Sequence, residues 1–235
     1  IKQKSDFIIT PENSSLFGLK KKELIKRTTS MQKDFYLREV KKFAKQYKKW
    51  ILIGSILIKE NNKIKNRSVL VNPKGRVQTY YDKIHMYDAT LSKKEKYFES
   101  QTFTPGKKIK TANLPWGKLG LSICYDIRFP NMYRKLSKKG SLFISVPSAF
   151  TKTTGEKHWH SLLKARAIEN FSYIFAPGQS GTHWNGRKTY GHSLIVSPDG
   201  KILKELKKGN GVITTIVNPT MSKILRRAIP SLNKN

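Results

Sequence analysis

The chain has 235 residues, of which 37% are hydrophobic, 11% aromatic and 26% charged. This composition supports a packed core and excludes wholesale disorder. The single cysteine, Cys124, excludes a disulfide framework and a cysteine-rich zinc site, and a lone thiol suits a reducing compartment. The longest strongly apolar run, residues 50–58, is too short to cross a bilayer, which needs about 20 residues. We therefore expect a soluble, cytoplasmic protein.

The charge of the chain is strongly positive, because 47 Lys and Arg residues against 15 Asp and Glu residues give a formal net charge of +32. One interpretation is a protein that binds nucleic acid or another polyanion. Such proteins usually concentrate Arg and aromatic side chains in one patch, whereas here lysine pairs are spread along the chain. This distribution favours a solvated lysine-rich surface. Polyanion binding is therefore the alternative from a different functional class.

Strand and helix patterns alternate along the chain. Apolar runs predict strands at 6–10, 50–58, 68–71, 77–81, 118–124, 142–146, 171–176, 192–196, 202–206 and 212–217. Three- and four-residue spacing of apolar side chains predicts helices over 30–49 and 157–170, and Pro130 suits the first turn of another helix. The segments 72–75 and 197–200 are turn signals within two hairpins. We expect one α/β domain over residues 1–235, with a mixed sheet or two stacked sheets.

Cys124 is the first candidate for chemistry. It ends a predicted strand and is followed by a turn and a helix, so the N–H groups at the start of that helix are expected to favour a thiolate. The alternative is a buried, inert cysteine that packs as a small hydrophobic residue. A nucleophilic cysteine also needs a base. Any of the five histidines could serve, as could Glu12, which lies just past the first strand and could otherwise be a helix cap or a surface charge.

Four short blocks of the sequence form motifs around Glu12, Lys83, Glu99 and Cys124. Cys-Tyr-Asp-Ile-Arg-Phe-Pro at 124–130 is similar to the nucleophile motif of the nitrilase superfamily of carbon–nitrogen hydrolases. Pro-Glu-Asn at 11–13 is similar to the block with the base, and Tyr-Asp-Lys-Ile-His-Met-Tyr-Asp at 81–88 to the block with the lysine. Phe-Glu-Ser at 98–100 resembles the site of the second glutamate. The blocks occur in the family's order and spacing, and the resemblance extends from about residue 7 to residue 218.

The resemblance implies a four-layer α-β-β-α sandwich with a Glu12–Lys83–Cys124 triad. Cys124 would attack an amide or nitrile carbon, Glu12 would move the protons, and Lys83 with the backbone N–H of Tyr125 would stabilise the oxyanion. Glu99 would orient Lys83 or the leaving group. The resemblance implies a small-molecule amide substrate, no cofactor and a homodimer. No metal site is expected, because no set of His, Cys and carboxylate residues has metal-ligand spacing beyond what chance supplies.

The motifs are most similar to the branch of deaminated glutathione amidases and ω-amidases, which act on acidic amides. Arg128 could hold a substrate carboxylate, or it could be a structural arginine paired with Asp126 or Glu169. Ser148, in the Pro-Ser-Ala-Phe block at 147–150, is a further candidate for substrate binding. A nitrilase or an N-carbamoyl hydrolase with the same triad is an alternative within the enzyme class.

The beginning of the chain departs from the family pattern. Family members have a strand and a helix before the equivalent of Phe7, whereas only six residues precede Phe7 in this sequence. The resemblance therefore predicts an N-terminally truncated domain, with an exposed backbone edge where the first strand would pair.

Overall fold

The computed structural model describes residues 5–207 and 209–232. The strands, in chain order, are β1 Phe7–Ile9, β2 Trp50–Glu60, β3 Lys63–Val71, β4 Val77–Asp82, β5 Asp88–Thr90, β6 Lys96–Phe98, β7 Lys110–Leu114, β8 Gly117–Leu121, β9 Ser141–Ser145, β10 Tyr173–Ala176, β11 Ser180–Thr182, β12 Lys188–Tyr190, β13 Ser193–Val196 and β14 Ile202–Leu206. The α-helices are α1 Lys21–Arg27, α2 Phe35–Tyr47, α3 Pro130–Lys138, α4 Lys152–Asn170 and α5 Thr220–Ala228.

Two sheets form the centre of the molecule. The first has the strand order β1-β2-β3-β4, with β1 parallel to β2 and the other pairs antiparallel. The second has the order β14-β13-β10-β9-β8-β7, in which β9 is parallel to both of its neighbours and the outer pairs are antiparallel. Two short hairpins, β5–β6 and β11–β12, lie outside these sheets.

The strand period of two divides the apolar side chains of the first sheet between two cores. Leu52 and Leu70 point to one face and pack in the large core with residues of the second sheet, such as Leu119. Ile51 and Ile53 point to the other face and pack against α2 in a separate cluster. The first sheet is therefore covered on one face by a helix and on the other by the second sheet.

Helices α3 and α4 cover the outer face of the second sheet through the buried side chains of Tyr133, Leu136, Trp159 and Leu163. Pro130 occupies the first turn of α3, as its missing N–H and fixed φ favour. The predicted four-layer α-β-β-α sandwich is confirmed. Among the described residues, no helix is long and apolar enough to span a membrane.

Most predicted elements are present within a few residues of their expected bounds, including both hairpins. The helix predicted over 30–49 begins at Phe35, because the Asp34 side chain accepts a hydrogen bond from Leu37 N and caps it there. The prediction of a strand at 212–217 is wrong. Val212 and Ile216 are 77% and 96% exposed, and the segment pairs with none of the described sheets.

A groove of about 330 Å³ separates this segment from β1. β1 pairs with β2 along one edge, and its other edge has no strand partner among residues 5–207 and 209–232. The groove walls are largely apolar and include Phe7, Phe175 and Val217. This groove lies away from Cys124, which lines a smaller cleft.

Candidate active site

Glu12 lies in the loop after β1, and Gly54 explains how that loop lies so close to β2. A Cβ atom at Gly54 would be 1.9 Å from the carbonyl oxygen of Thr10 and 2.4 Å from that of Pro11. Only glycine permits this approach. The backbone N–H of Gly54 also donates to Thr10 Oγ1 over 3.0 Å, and the backbone N–H of Asn13 donates to Ser55 Oγ over 2.8 Å. The loop is therefore fixed on both sides of Glu12.

The Glu12 carboxylate is 2% exposed and accepts hydrogen bonds at both oxygens. Oε1 lies 3.0 Å from Lys83 Nζ and 2.9 Å from Asn66 Nδ2, and Oε2 lies 2.8 Å from the backbone nitrogen of Ala149. Burial alone would raise the pKa of this carboxyl, but the charges of Lys83 and Arg187 hold its pKa below the ordinary value. Glu12 is therefore ionised and able to accept a proton.

Lys83 is the cation of this cluster and is 1% exposed. Its Nζ lies 2.9 and 2.7 Å from the two carboxylate oxygens of Glu99, in addition to its contact with Glu12. Oε2 of Glu99 also accepts a hydrogen bond from the backbone N–H of Tyr87. Burial would lower the pKa of Lys83, but the two carboxylates raise it well above its ordinary value. Lys83 therefore remains charged.

Cys124 is 6% exposed and begins a 3-10 helix, Cys124–Arg128, directly after β8. Its φ of +47° lies in the left-handed region, which is strained for a residue with a side chain, and its N–H donates to Pro147 O over 2.9 Å. Burial and the negative charge of Glu12 raise the pKa of the thiol, and the opposing effect of Lys83 is smaller. The expectation that the helix terminus favours a thiolate is therefore wrong, and the thiol is protonated at rest.

Asp126 joins the motif that contains Cys124 to the motif that contains Lys83. This fully buried carboxylate accepts from Tyr81 Oη at 2.7 Å, from the backbone N–H of His85 at 3.1 Å and from the backbone N–H of Ile123 at 2.9 Å. The two motifs are thus held together beneath the site, which fixes the relative positions of their reactive residues.

Comparison with known proteins agrees with this geometry. The sequence model of the carbon–nitrogen hydrolase family matches residues 1–226. The chain belongs to the carbon–nitrogen hydrolase family. It is therefore an enzyme that hydrolyses amide C–N bonds, and the resemblance of the four sequence blocks to this family is confirmed.

Similar proteins include a deaminated glutathione amidase from Yersinia enterocolitica, which is 37% identical over 233 residues that cover 97% of this chain and 81% of that protein. The omega-amidase NIT3 of Saccharomyces cerevisiae is 34% identical over 185 residues, 77% of this chain and 64% of that protein. The crystal structure of the Caenorhabditis elegans NitFhit protein has a TM-score of 0.88 at 31% identity, and the match covers 98% of this chain and 57% of that chain.

The cleft of this hydrolase opens beside Cys124. Its wall consists of aromatic, small polar and basic residues, namely Tyr87, Cys124, Tyr125, Arg128, Ala149, Phe150, Thr151, Thr154 and Arg187. None of the described histidines lines it. His85, which is close in sequence to Lys83, binds Asp126 through Nδ1 at 2.7 Å and stacks on Phe129 at 3.5 Å. The geometry therefore favours Glu12 over a histidine as the base.

The three residues predicted to bind oxyanion or substrate have different positions. Tyr125 lines the cleft, and its backbone N–H lies in the first turn of the 3-10 helix, where such groups have no intrahelical acceptor. Arg128 also lines the cleft, and its Nη2 contacts His158 Nδ1 at 3.1 Å rather than Asp126 or Glu169. Ser148 is fully buried, and its hydroxyl donates to Val146 O over 3.0 Å, so it does not line the cleft.

Several residues of the site were not predicted from the sequence. Asn66, on β3, and the backbone of Ala149 bind the Glu12 carboxylate, and Arg187 lines the cleft. In the sequence, Ala149 was marked only by its proximity to predicted blocks, and Arg187 only by its basic side chain.

One group of side chains has the ligand types of a metal site. Ligand atoms of His160, His192 and Glu205 all lie within 4.8 Å of one another, although their separation in sequence gives no sign of this. Glu205 Oε1 lies 2.9 Å from His160 Nε2 and 2.6 Å from His192 Nδ1, which are hydrogen-bond distances. The group connects α4 to β13 and β14 and includes none of the residues around Cys124.

Proposed function

We propose that this hydrolase cleaves the carboxamide of a small acidic substrate through a thioester on Cys124. The observation that carries the proposal is the buried cluster of Glu12, Lys83 and Glu99 beside Cys124. The thiol of Cys124 is protonated, and the backbone of this residue has a positive φ. A carboxylate with a lowered pKa beside a thiol with a raised pKa is suited to take the proton only as the sulfur attacks.

In the first half of the reaction, Sγ of Cys124 attacks the amide carbon while its proton moves to Glu12. The carbonyl oxygen becomes an oxyanion, which the Lys83 ammonium group and the backbone N–H of Tyr125 stabilise. Glu12 then gives its proton to the departing nitrogen, the C–N bond breaks, and an amine or ammonia leaves. The acyl group stays on Cys124 as a thioester.

In the second half, Glu12 takes a proton from a water molecule as the water oxygen attacks the thioester carbon. The same oxyanion site stabilises the second tetrahedral intermediate. This intermediate collapses with cleavage of the C–S bond, and Glu12 returns the proton to the sulfur. Glu99, which binds Lys83 through both oxygens, keeps the ammonium group in position throughout.

An acidic substrate is supported by the cleft and by the relatives. The charged residues of the cleft wall are Arg128 and Arg187, both cationic. The Yersinia relative is named a deaminated glutathione amidase and the yeast relative an omega-amidase. We propose a deaminated glutathione-like substrate, with ω-amides as the second candidate. N-carbamoyl compounds and nitriles are alternatives with the same triad.

The test is an ammonia-release screen over short carboxamides, with deaminated glutathione followed by the release of its amine product and α-ketoglutaramate by the release of ammonia. We expect turnover of acidic amides and little turnover of nitriles. Turnover of nitriles or N-carbamoyl compounds alone would reject the amidase proposal. A protein that turns over none of these compounds but shifts a DNA probe in a salt-dependent manner would support polyanion binding instead.

We further propose a cytoplasmic homodimer. The single thiol supports a reducing compartment, and the family resemblance supports the dimer. Light scattering coupled to gel filtration would measure the mass of the assembly, and a monomer at micromolar concentration would contradict the proposal.

A further inference from the structure

Two arginines line the cleft beside Cys124 without an acidic partner. Within residues 5–207 and 209–232, no carboxylate oxygen lies within 4.0 Å of the guanidinium of Arg128 or Arg187. By contrast, the buried guanidinium of Arg67 lies 2.6 Å from a carboxylate oxygen of Asp82. Among the described residues of the cleft wall none is acidic, so the charged side chains that the wall presents to a substrate carboxylate are the two arginines.

Arg187 is held rigidly but leaves donors unused. Its Nη2 donates to Ala149 O over 2.7 Å, and its guanidinium lies 4.9 Å from the ring centre of Tyr97 and 5.2 Å from that of Phe17. Its Nε is buried and has no hydrogen-bond acceptor. Because Nε is closed off, a carboxylate would meet the outer edge of the guanidinium, where Nη1 has no hydrogen-bond partner among the described residues and the planar fork matches a carboxylate. Arg128, in contrast, already contacts His158 through Nη2.

Arg187 is also close to the reacting groups. Both backbone groups of Ala149 take part in the contact: its carbonyl oxygen accepts from Arg187, and its N–H donates to Glu12. The positive charge of Arg187 contributes to the lowered pKa of Glu12. A carboxylate bound at Arg187 would therefore lie a short distance from the amide carbon that Cys124 attacks.

We propose that Arg187 binds a carboxylate on the acyl part of the substrate and so selects ω-amides of dicarboxylic acids over neutral amides. The proposal rests on the proposed function and assigns its acid specificity to one residue. A guanidinium fork binds a carboxylate through two parallel charge-assisted hydrogen bonds, whereas it offers little to a methyl ketone of the same shape.

The experiment compares glutaramate with 5-oxohexanamide, a neutral analogue in which an acetyl group replaces the carboxylate. In the Arg187→Met variant, we expect the ratio of the two kcat/KM values to fall about 10- to 100-fold. Arg187→Lys keeps the charge but loses the fork, and we expect a smaller fall. Arg76→Met is the matched control, because Arg76 is exposed and lies outside the cleft wall. Like Arg187→Met, the Arg76→Met variant lowers the formal net charge of +32 by one, but the ratio of the two kcat/KM values should not change.

Equilibrium binding tests the role of Arg187 independently of the proposed thioester reaction. In a Cys124→Ala background, calorimetry should detect glutaramate binding that is stronger than 5-oxohexanamide binding and is lost on Arg187→Met. Such binding without turnover by the wild-type protein would reject the proposed reaction and keep the role of Arg187. An equal loss for both amides would overturn the proposal, because Arg187 would then act only by holding Ala149. Equal binding of both amides to the Cys124→Ala protein would overturn it as well.

Discussion

The backbone N–H of Ala149 donates a 2.8 Å hydrogen bond to Oε2 of Glu12, although 137 residues separate the two. Glu12 lies in the loop after β1 of the first sheet, and Ala149 follows β9 of the second sheet, so this bond joins the two sheets at the site. Since Oε1 accepts from Lys83 and Asn66, distant parts of the chain orient the carboxylate. The position of Glu12, the proposed base, is therefore sensitive to changes in any of them.

Replacement of Asn66 by Leu should impair the base without removing it. The variant loses the 2.9 Å hydrogen bond to Glu12, so we expect kcat to fall about 10- to 100-fold. Loss of a donor to the carboxylate disfavours its charged form and raises its pKa, so the acid limb of the kcat/KM profile should move to higher pH. A pH-rate profile measures both effects. Asn113→Leu, at an exposed position on β7, is the control, and an unmoved acid limb in the Asn66 variant would contradict the argument.

Substitution of Gly54 by Ala should displace the loop that contains Glu12. The added methyl group would lie 1.9 Å from Thr10 O, and backbone at this distance must shift. A displacement of about 1 Å at a catalytic group can cost on the order of a hundredfold in rate, and we expect a loss of that size in kcat. At Gly211 the nearest atoms to an added methyl group are Leu206 side-chain carbons at 3.3 Å, so Gly211→Ala serves as the control. Wild-type kcat in Gly54→Ala would show that the loop tolerates the shift.

The residues of the site that could be predicted are those whose side chains take part in the proposed chemistry. Cys124, Lys83 and both glutamates lie in short blocks that resemble family motifs. The contact of Asn66 with Glu12 depends on the register of β3, where Asn66 pairs with Leu57, and no local pattern encodes it. Ala149 acts through its backbone, which leaves no residue-type signal, so the prediction identified the neighbouring hydroxyl of Ser148 instead. Arg187 was one basic residue among 47 Lys and Arg residues.

The pKa of Cys124 leads to a prediction about alkylation. Because burial and Glu12 raise the pKa of this thiol, little thiolate exists at pH 8, and alkylation by iodoacetamide should be slow there. The rate should rise about tenfold per pH unit as long as the pH is below the raised pKa. Glu12→Gln removes a negative charge that raises this pKa, so alkylation at pH 8 should become faster. Mass spectrometry is unambiguous here because the chain has one cysteine, and a plateau below pH 8 would instead indicate a preformed thiolate.

The thioester should be observable when the second half of the reaction is slowed. Cys124→Ala should abolish turnover and leave the melting temperature close to the wild-type value, since only the sulfur is removed. In Glu12→Gln, loss of the negative charge favours the Cys124 thiolate for the first attack, whereas the base that activates water is lost, so we expect an acyl adduct on Cys124 after mixing with substrate. Intact-protein mass spectrometry detects that adduct. Near-wild-type activity in Cys124→Ala, or the absence of any adduct in both the wild-type protein and Glu12→Gln, would remove the covalent mechanism.

The groove beside β1 leads to a prediction about residues placed before Ile1. A strand that pairs with the free edge of β1 would bury apolar groove residues such as Phe7 and Phe175 and satisfy the exposed backbone groups of that edge. A domain has only about 5–15 kcal/mol of stability, so the pairing and burial that an added strand supplies would be a large gain. Glu12 follows β1 directly, so such a strand is also expected to hold the loop that contains Glu12 more firmly.

An extension of roughly 30 residues before Ile1, which encodes one strand and one helix, should therefore raise the melting temperature and kcat. The control is an extension of equal length and composition in which prolines interrupt the strand, because proline cannot donate ladder hydrogen bonds. Gel filtration, thermal unfolding and ammonia release measure the outcome for all three proteins. If the extended protein unfolds at the same temperature as the 235-residue chain and hydrolyses amides no faster, the added strand does not stabilise the edge of β1. An equal gain from the proline control would show that the extension acts without pairing to β1.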